Sequence, residues 1–309
     1  MGSTVGETVT PGHASSTRPG VWLTDALLVL MAVIWGANYS VVKYGTNLVE
    51  PLAYNGVRTM LAAVVLAAVV FAGKAMPSRR DAVALLLLGV LGNGIYQYLF
   101  VEGIARTRAS DAALVVAASP ALIAIVSRIR GVDRLHGRGI LGIVLSALGI
   151  GFVVLGTTEA SNAGGANGPS VTGDFLVLAG SACWAVYSVL LKPYTERVSG
   201  MQLSALTMIG GAVPLFVVAW PSIARTSWRA VPVLGWSAVL YSGIFSLVVA
   251  YLFWYRGIRV LGPTRSAMYS NLQPIFAVLV AWALLGEVPT AWQGVGAAGI
   301  LGGLVLTRA

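Results

Sequence analysis

YLFVEGIARTRASDAALVVAASPALIAIVSRIRGVD (residues 98–133) and YLFWYRGIRVLGPTRSAMYSNLQPIFAVLVAWALLGE (residues 251–287) are one stretch written twice. Tyr98-Leu99-Phe100 recurs as Tyr251-Leu252-Phe253, and Gly103-Ile104 recurs one residue later as Gly257-Ile258. From there the spacing holds at 154, so Ser110 answers to Thr264, Ala113 to Ala267, Pro120 to Pro274 and Asp133 to Glu287. An earlier pair keeps a spacing of 149, with Trp35 and Lys43 answering to Trp184 and Lys192. Each copy sits in a half with five hydrophobic spans, and an odd number of spans turns the second half upside down. Duplicated, oppositely oriented membrane halves are a design of secondary transporters, which place the substrate site near the bilayer midplane where the halves meet.

Composition agrees. The chain is 57% hydrophobic and 10% charged, too little polar surface to cover a soluble protein of this size. Runs long enough to cross a hydrocarbon core of roughly 30 Å as helices are expected at 23–43, 52–72, 82–102, 110–130, 138–156, 173–192, 201–220, 232–255, 265–285 and 291–307. The fold expected is an all-α integral membrane protein with ten transmembrane helices in two inverted-topology repeats, 22–156 and 173–307. Residues 1–21 read as a disordered cytoplasmic tail and 157–172 as a linker rich in Gly, Ala, Asn and Ser.

The cations set an orientation. Fourteen Lys and Arg fall on the side of the N-terminus and five on the other, with Arg58 inside the second span. Cytoplasmic loops retain the excess, so both termini are expected in the cytoplasm. The net charge of +9 is then a topology signal and not a nucleic-acid footprint, because these residues flank spans. The expected partners are the lipid bilayer and a small-molecule substrate. Oligomeric state stays open, a monomer being compatible with every feature read here.

Nothing points to an enzyme. Cys183 lies among apolar neighbours, His13 and His136 have no second ligand at metal spacing, and no phosphate-loop, GxSxG or dinucleotide pattern occurs. No cofactor and no metal are expected. Small residues on the fifth span (Gly139, Gly142, Ser146, Gly149) and the tenth (Gly294, Ala298, Gly299, Gly302, Gly303) read as surfaces for close helix packing.

Polar and aromatic residues inside the spans mark the candidate substrate site, since polar groups in hydrocarbon face a cavity or a partner helix. Trp35, Asn38 and Tyr39 share one helical face, and Trp184, Tyr187 and Ser188 repeat the spacing. The third span adds Asn93, Tyr96 and Gln97, and its counterpart Ser242, Phe245 and Ser246. The fourth and ninth bring Ser119, Tyr269, Asn271 and Gln273. Gly92, Gly94, Gly243, Pro120 and Pro274 are expected hinges, and the two prolines should free backbone carbonyls one turn earlier. Arg58 reads as shallow enough to snorkel and to form a structural ion pair with Glu102 or Asp111. With no carboxylate evident deep in a span, facilitated transport, or coupling through the substrate, is favoured over proton antiport.

Two five-span halves, a proline late in the fourth and ninth spans, an acid after each (Gly131-Val132-Asp133 and Leu285-Gly286-Glu287) and glycine-rich fifth and tenth spans resemble the drug/metabolite transporter superfamily, EamA type. Within it the chain is most similar to the YddG-like amino-acid exporters. The resemblance implies a ten-helix basket in a bacterial inner membrane, with a cavity bounded by helices 1, 3, 4, 6, 8 and 9 and helices 5 and 10 at the periphery. It also implies export of aromatic and other neutral amino acids. Asp133 departs from the Glu kept at 287. The rival readings are a multidrug exporter of lipophilic cations, a carrier of nucleotide sugars or phosphorylated metabolites, and a non-transport scaffold.

Overall fold

A computed structural model describes residues 21–72, 76–131, 137–164, 169–261, 269–270 and 272–308. The helical runs are α1 (Val21–Leu48), α2 (Pro51–Phe71), α3 (Arg79–Arg106), α4 (Ala109–Ile129), α5 (Gly137–Gly164), α6 (Val171–Thr195), α7 (Gly200–Arg225), α8, α9 (Gln273–Leu285) and α10 (Ala291–Arg308). The run α8 joins Val233–Leu240, Tyr241–Val249 and Ala250–Leu261. Eight of these helices are long and apolar enough to cross a membrane, while α9 is a shorter apolar helix. Side chains such as Leu87, Val217 and Leu284 stand about two-thirds exposed, the inside-out pattern of a multi-pass membrane protein.

Local chemistry sets the helix ends. Ser78 caps α3 by accepting from the Asp81 N–H at 3.2 Å, and Ser170 and Ser199 do the same for α6 and α7. Pro51 opens α2, where its missing N–H has no helical partner to lose. Gly286 ends α9 in the left-handed region at φ 68°.

The stretch 157–172 differs from the linker expected of it. Helix α5 continues through Gly164, with Thr157 and Thr158 hydroxyls donating to the Val153 and Val154 carbonyls of its last turns. Of that stretch only 165–168 lie outside the described residues, as do 1–20 of the expected tail, and α6 begins at Val171.

Helix α5 packs along α10 through Gly142, Ser146, Gly149, Gly299 and Gly303 of the small residues singled out above, whereas Gly294, expected at the same surface, has nothing within 4 Å. A Cβ on Gly303 would fall 2.3 Å from the Gly142 carbonyl oxygen, and Ser146 Oγ donates to the Ile300 carbonyl at 3.4 Å. Elsewhere α2 packs on α7, α4 on α9, α3 on α6 and α7, α1 on α8 and α9, α4 on α6, and α2 on α8. Exchanging each helix with the one five places along maps this set of pairs onto itself.

Candidate functional site

A cavity of about 1020 Å³ lies between the helices, lined by α1, α3, α4, α6, α8 and α9, with Arg58 from α2 and the start of α7. Helices α5 and α10 contribute nothing to it. Of the residues expected at the site, it brings together Trp35, Asn38, Tyr39, Tyr96, Gln97, Ser119, Trp184, Tyr187, Ser188, Ser246 and Gln273. The cavity runs to the α6–α7 junction, where Lys192, Glu196 and Ser199 are exposed and Arg256 stands beside them in the lining.

Its walls are aromatic. Tyr96 and Trp184 have ring centroids 5.2 Å apart, Trp184 and Tyr251 6.3 Å, Trp35 and Tyr251 5.8 Å, and Trp35 and Trp254 5.9 Å. The edge-to-face and tilted geometries leave ring surface available for a further apolar group. Trp35 is held by its indole N–H donating to the Ser246 carbonyl at 3.0 Å, which ties α1 to α8. Neutral polar side chains belong to the lining as well: Asn38 Oδ1 and Ser119 Oγ are buried and have no hydrogen-bond partner among the described residues.

Several expectations need correction. Phe245 is 49% exposed and stacks on Tyr241, outside the lining, whereas Ser246 faces the cavity. The cause is the π-helical stretch Tyr241–Val249, where i→i+5 bonding adds a residue to the turn and rotates position 245 away. Ser242 lies behind the wall, bonded to the Tyr54 hydroxyl at 2.7 Å. Asn93, in the matching π-helical stretch Val90–Ile95, sits between helices and accepts from Tyr251 at 3.5 Å. Tyr269 donates to Asp25 at 2.7 Å outside the lining, and Asn271 lies outside the described residues.

Among the expected hinges, Gly92 and Gly94 lie in the first π-helical stretch and Gly243 in the second. Gly92 is also a close-packing position, since a Cβ there would meet the Tyr187 ring at 2.4 Å. Pro120 and Pro274 open helical segments instead of sitting within them. Helix α4 breaks at Ala118, whose N–H donates to the Val115 carbonyl at 3.2 Å, one residue before the Val116 carbonyl that Pro120 is expected to free.

The ion pair expected of Arg58 does not form. Arg58 is fully buried, donating from Nε to Asn55 Oδ1 at 3.0 Å and from Nη2 to Gln97 Oε1 at 2.6 Å. Glu102 pairs with Arg106, and Asp111 accepts from Gln293 at 2.6 Å and from Thr157 at 3.2 Å. Snorkelling fails because α7 and α8 pack on α2, so Arg58 faces inward and not towards the lipid.

Sequence reasoning missed Phe100, Tyr251, Trp254 and Tyr255 in the lining. Tyr251 opens the duplicated YLF, but its counterpart Tyr98 is 40% exposed, so the repeat alone carries no direction. Counting five residues from Ser246 reaches Tyr251, a signal visible only once the π-helical turn is known.

Away from the α6–α7 junction the halves are laced together. The Glu287 carboxylate, just beyond α9, accepts from the Ala109 N–H at 2.9 Å, the Ser110 N–H at 3.1 Å and the Ser110 hydroxyl at 2.7 Å, capping the N-terminus of α4. Arg108 donates to the Val288 carbonyl at 2.7 Å, and Gln293 Nε2 donates to Ser110 Oγ at 2.8 Å.

Comparison with known proteins agrees with this architecture. The model of the EamA-like transporter family matches twice, over residues 22–155 and 171–309. The chain belongs to this family. It is therefore a transporter of the drug/metabolite superfamily and not an enzyme. Among its relatives, the uncharacterized transporter YyaM of Bacillus subtilis is 27% identical, the match covering 90% of the EamA chain and 91% of the relative. The uncharacterized inner membrane transporter YedA of Escherichia coli is 30% identical over 84% of this chain and 82% of its own. A probable terminal-alkyne amino-acid exporter of Streptantibioticus cattleyicolor is 25% identical, over 91% and 92%. A protein of known crystal structure superposes with a TM-score of 0.60 at 20% identity, covering 91% of the EamA chain and 94% of its own.

Proposed function

We propose that this protein exports amino acids, chiefly aromatic and other neutral ones, across the cytoplasmic membrane by alternating access. The observation that carries the reading is the cavity wall of Trp35, Tyr96, Trp184, Tyr251 and Trp254, beside buried unpartnered groups on Asn38 and Ser119. Such a wall stacks on an apolar or aromatic side chain while the polar atoms bind the zwitterionic end. Similarity to a probable amino-acid exporter supports the substrate class.

In this reading ten spans form two inverted repeats, 22–156 and 173–307, with both termini cytoplasmic. Support comes from the helix pairs that persist on exchange of the halves and from π-helical stretches recurring at Val90–Ile95 and Tyr241–Val249. The conformation is then inward-open: exposed Lys192 and Glu196 mark the cytoplasmic mouth, and the Glu287 seam closes the outer end. Rocking one half against the other opens that seam and closes the mouth.

A multidrug exporter of lipophilic cations is the second reading, and Arg58 at the cavity wall disfavours it. Counterflow of radiolabelled phenylalanine, tryptophan, methionine and threonine into proteoliposomes, with no ion gradient, tests the proposal. Uptake by the wild type, lost in Trp35→Ala and Trp184→Ala, supports it; absence of uptake with folded protein refutes it.

A further inference from the structure

The guanidinium of Arg58 has two hydrogen-bond partners, and both are neutral amides. Among the described residues no carboxylate lies within ion-pair distance of it, and Nη1 has no hydrogen-bond partner. The Tyr54 ring lies under the guanidinium, with Arg58 Cζ 6.0 Å from its centroid, a cation–π contact with a neutral ring and not a counterion. A buried cation without a counterion is strongly disfavoured, and proteins that keep one pair it with an anion in some state. This arginine belongs to the lining of the transport cavity together with Gln97, to which it is bonded, and with Tyr96, Trp184 and Tyr251.

We infer that the missing counterion is carried by the substrate: Arg58 binds the carboxylate of the transported molecule through Nη1, and the protein selects organic acids and zwitterions over the corresponding amines and amides. This rests on the transporter reading above. Asn55 and Gln97 act as positioning residues, holding Nε and Nη2 of the guanidinium and leaving Nη1 for the incoming group. Asn55 is itself fixed, since its Nδ2 donates to the Gln97 carbonyl at 2.8 Å. The guanidinium has no exposed surface in this conformation, so the anion engages it as the wall relaxes around the ligand. The aromatic wall then receives the side chain and Arg58 reads the acid, a division that puts selectivity for charge on a single residue.

The test uses purified full-length protein and four probes of one shape: phenylalanine, phenylalaninamide, phenethylamine and 3-phenylpropionate. Thermal stabilisation and competition in counterflow are read for wild type, Arg58→Gln and Gln97→Glu. The second variant keeps the arginine and gives it an internal carboxylate, so it folds with a satisfied pair even where Arg58→Gln fails to. The wild type should prefer phenylalanine and phenylpropionate over the amide and the amine by tenfold or more. In both variants that preference should fall to near unity. A wild type that carries phenylalanine and phenylalaninamide alike overturns the inference and leaves the amino-acid reading standing, as does a folded variant that keeps the preference. A wild type that binds phenylpropionate through Arg58 but carries no amino acid upholds the inference and refutes that reading. A wild type that responds to neither acid overturns both.

Discussion

In the inward-open reading proposed above, replacing Glu287 by alanine should release the seam that closes the outer end. The carboxylate holds two backbone N–H groups of α4 and the Ser110 hydroxyl, at 2.9, 3.1 and 2.7 Å. A hydrogen bond to a charged acceptor contributes about 1.5–3 kcal/mol, and loss of a helix N-cap costs about 0.5–2 kcal/mol. The longer contact with Arg108, at 3.8 Å between partly exposed groups, adds under about 1 kcal/mol. These bonds share one cap and do not sum, so about 2–4 kcal/mol is lost, and lost only from the conformation closed on this side. At 1.4 kcal/mol per decade the equilibrium moves about 30- to 700-fold towards the open seam. The assay places one cysteine at Ala117 in the cavity, in a Cys183→Ser background, and follows its modification by a membrane-impermeant maleimide added to the outer face. Labelling should quicken at least tenfold in Glu287→Ala and by less in Glu287→Gln, which keeps an acceptor. An unchanged rate in folded protein would show that the seam does not gate the cavity.

Trp184→Ala removes the ring shared by Tyr96, Tyr187 and Tyr251, and should lower affinity for aromatic amino acids about 10- to 100-fold, measured by counterflow competition, with insertion unaffected. Gly210→Ala would set a Cβ 2.0 Å from the Leu86 carbonyl oxygen, forcing α7 off α3. We expect about 1–3 kcal/mol of destabilisation, seen as a lower Tm, whereas Gly294→Ala, with nothing within 4 Å, leaves Tm unchanged. Gln293→Leu strips Ser110 and Asp111 of their shared donor, and a cost of about 1–3 kcal/mol should appear in the same thermal assay.

Much of the architecture was legible beforehand because hydrophobic length and duplication are local properties of the chain. Spans expected at 52–72 and 110–130 fall within a residue of Pro51–Phe71 and Ala109–Ile129. The stripes on α5 and α10 meet at Gly142, Ser146, Gly149, Gly299 and Gly303, since small residues at helical spacing have little to offer but close approach, and Gly294 stands clear of the contact. The faces of Trp35 and Trp184 follow from the 3.6-residue period, which holds wherever the helix is regular. Where it is not, the reading failed: a π-helical stretch rotated Phe245 outward and brought Tyr251 inward.

By itself, then, the sequence determined the membrane class, the two matched halves and the aromatic character of the site, because composition, repeat and period need no neighbour to be read. Tertiary structure alone decided that Arg58 turns inward to Asn55 and Gln97, that Glu287 reaches across the halves to cap α4, and that Asp111 is held by Gln293. Each of these depends on partners 3 to 182 positions away. Only packed helices, which leave a polar side chain one direction free of lipid, make that choice.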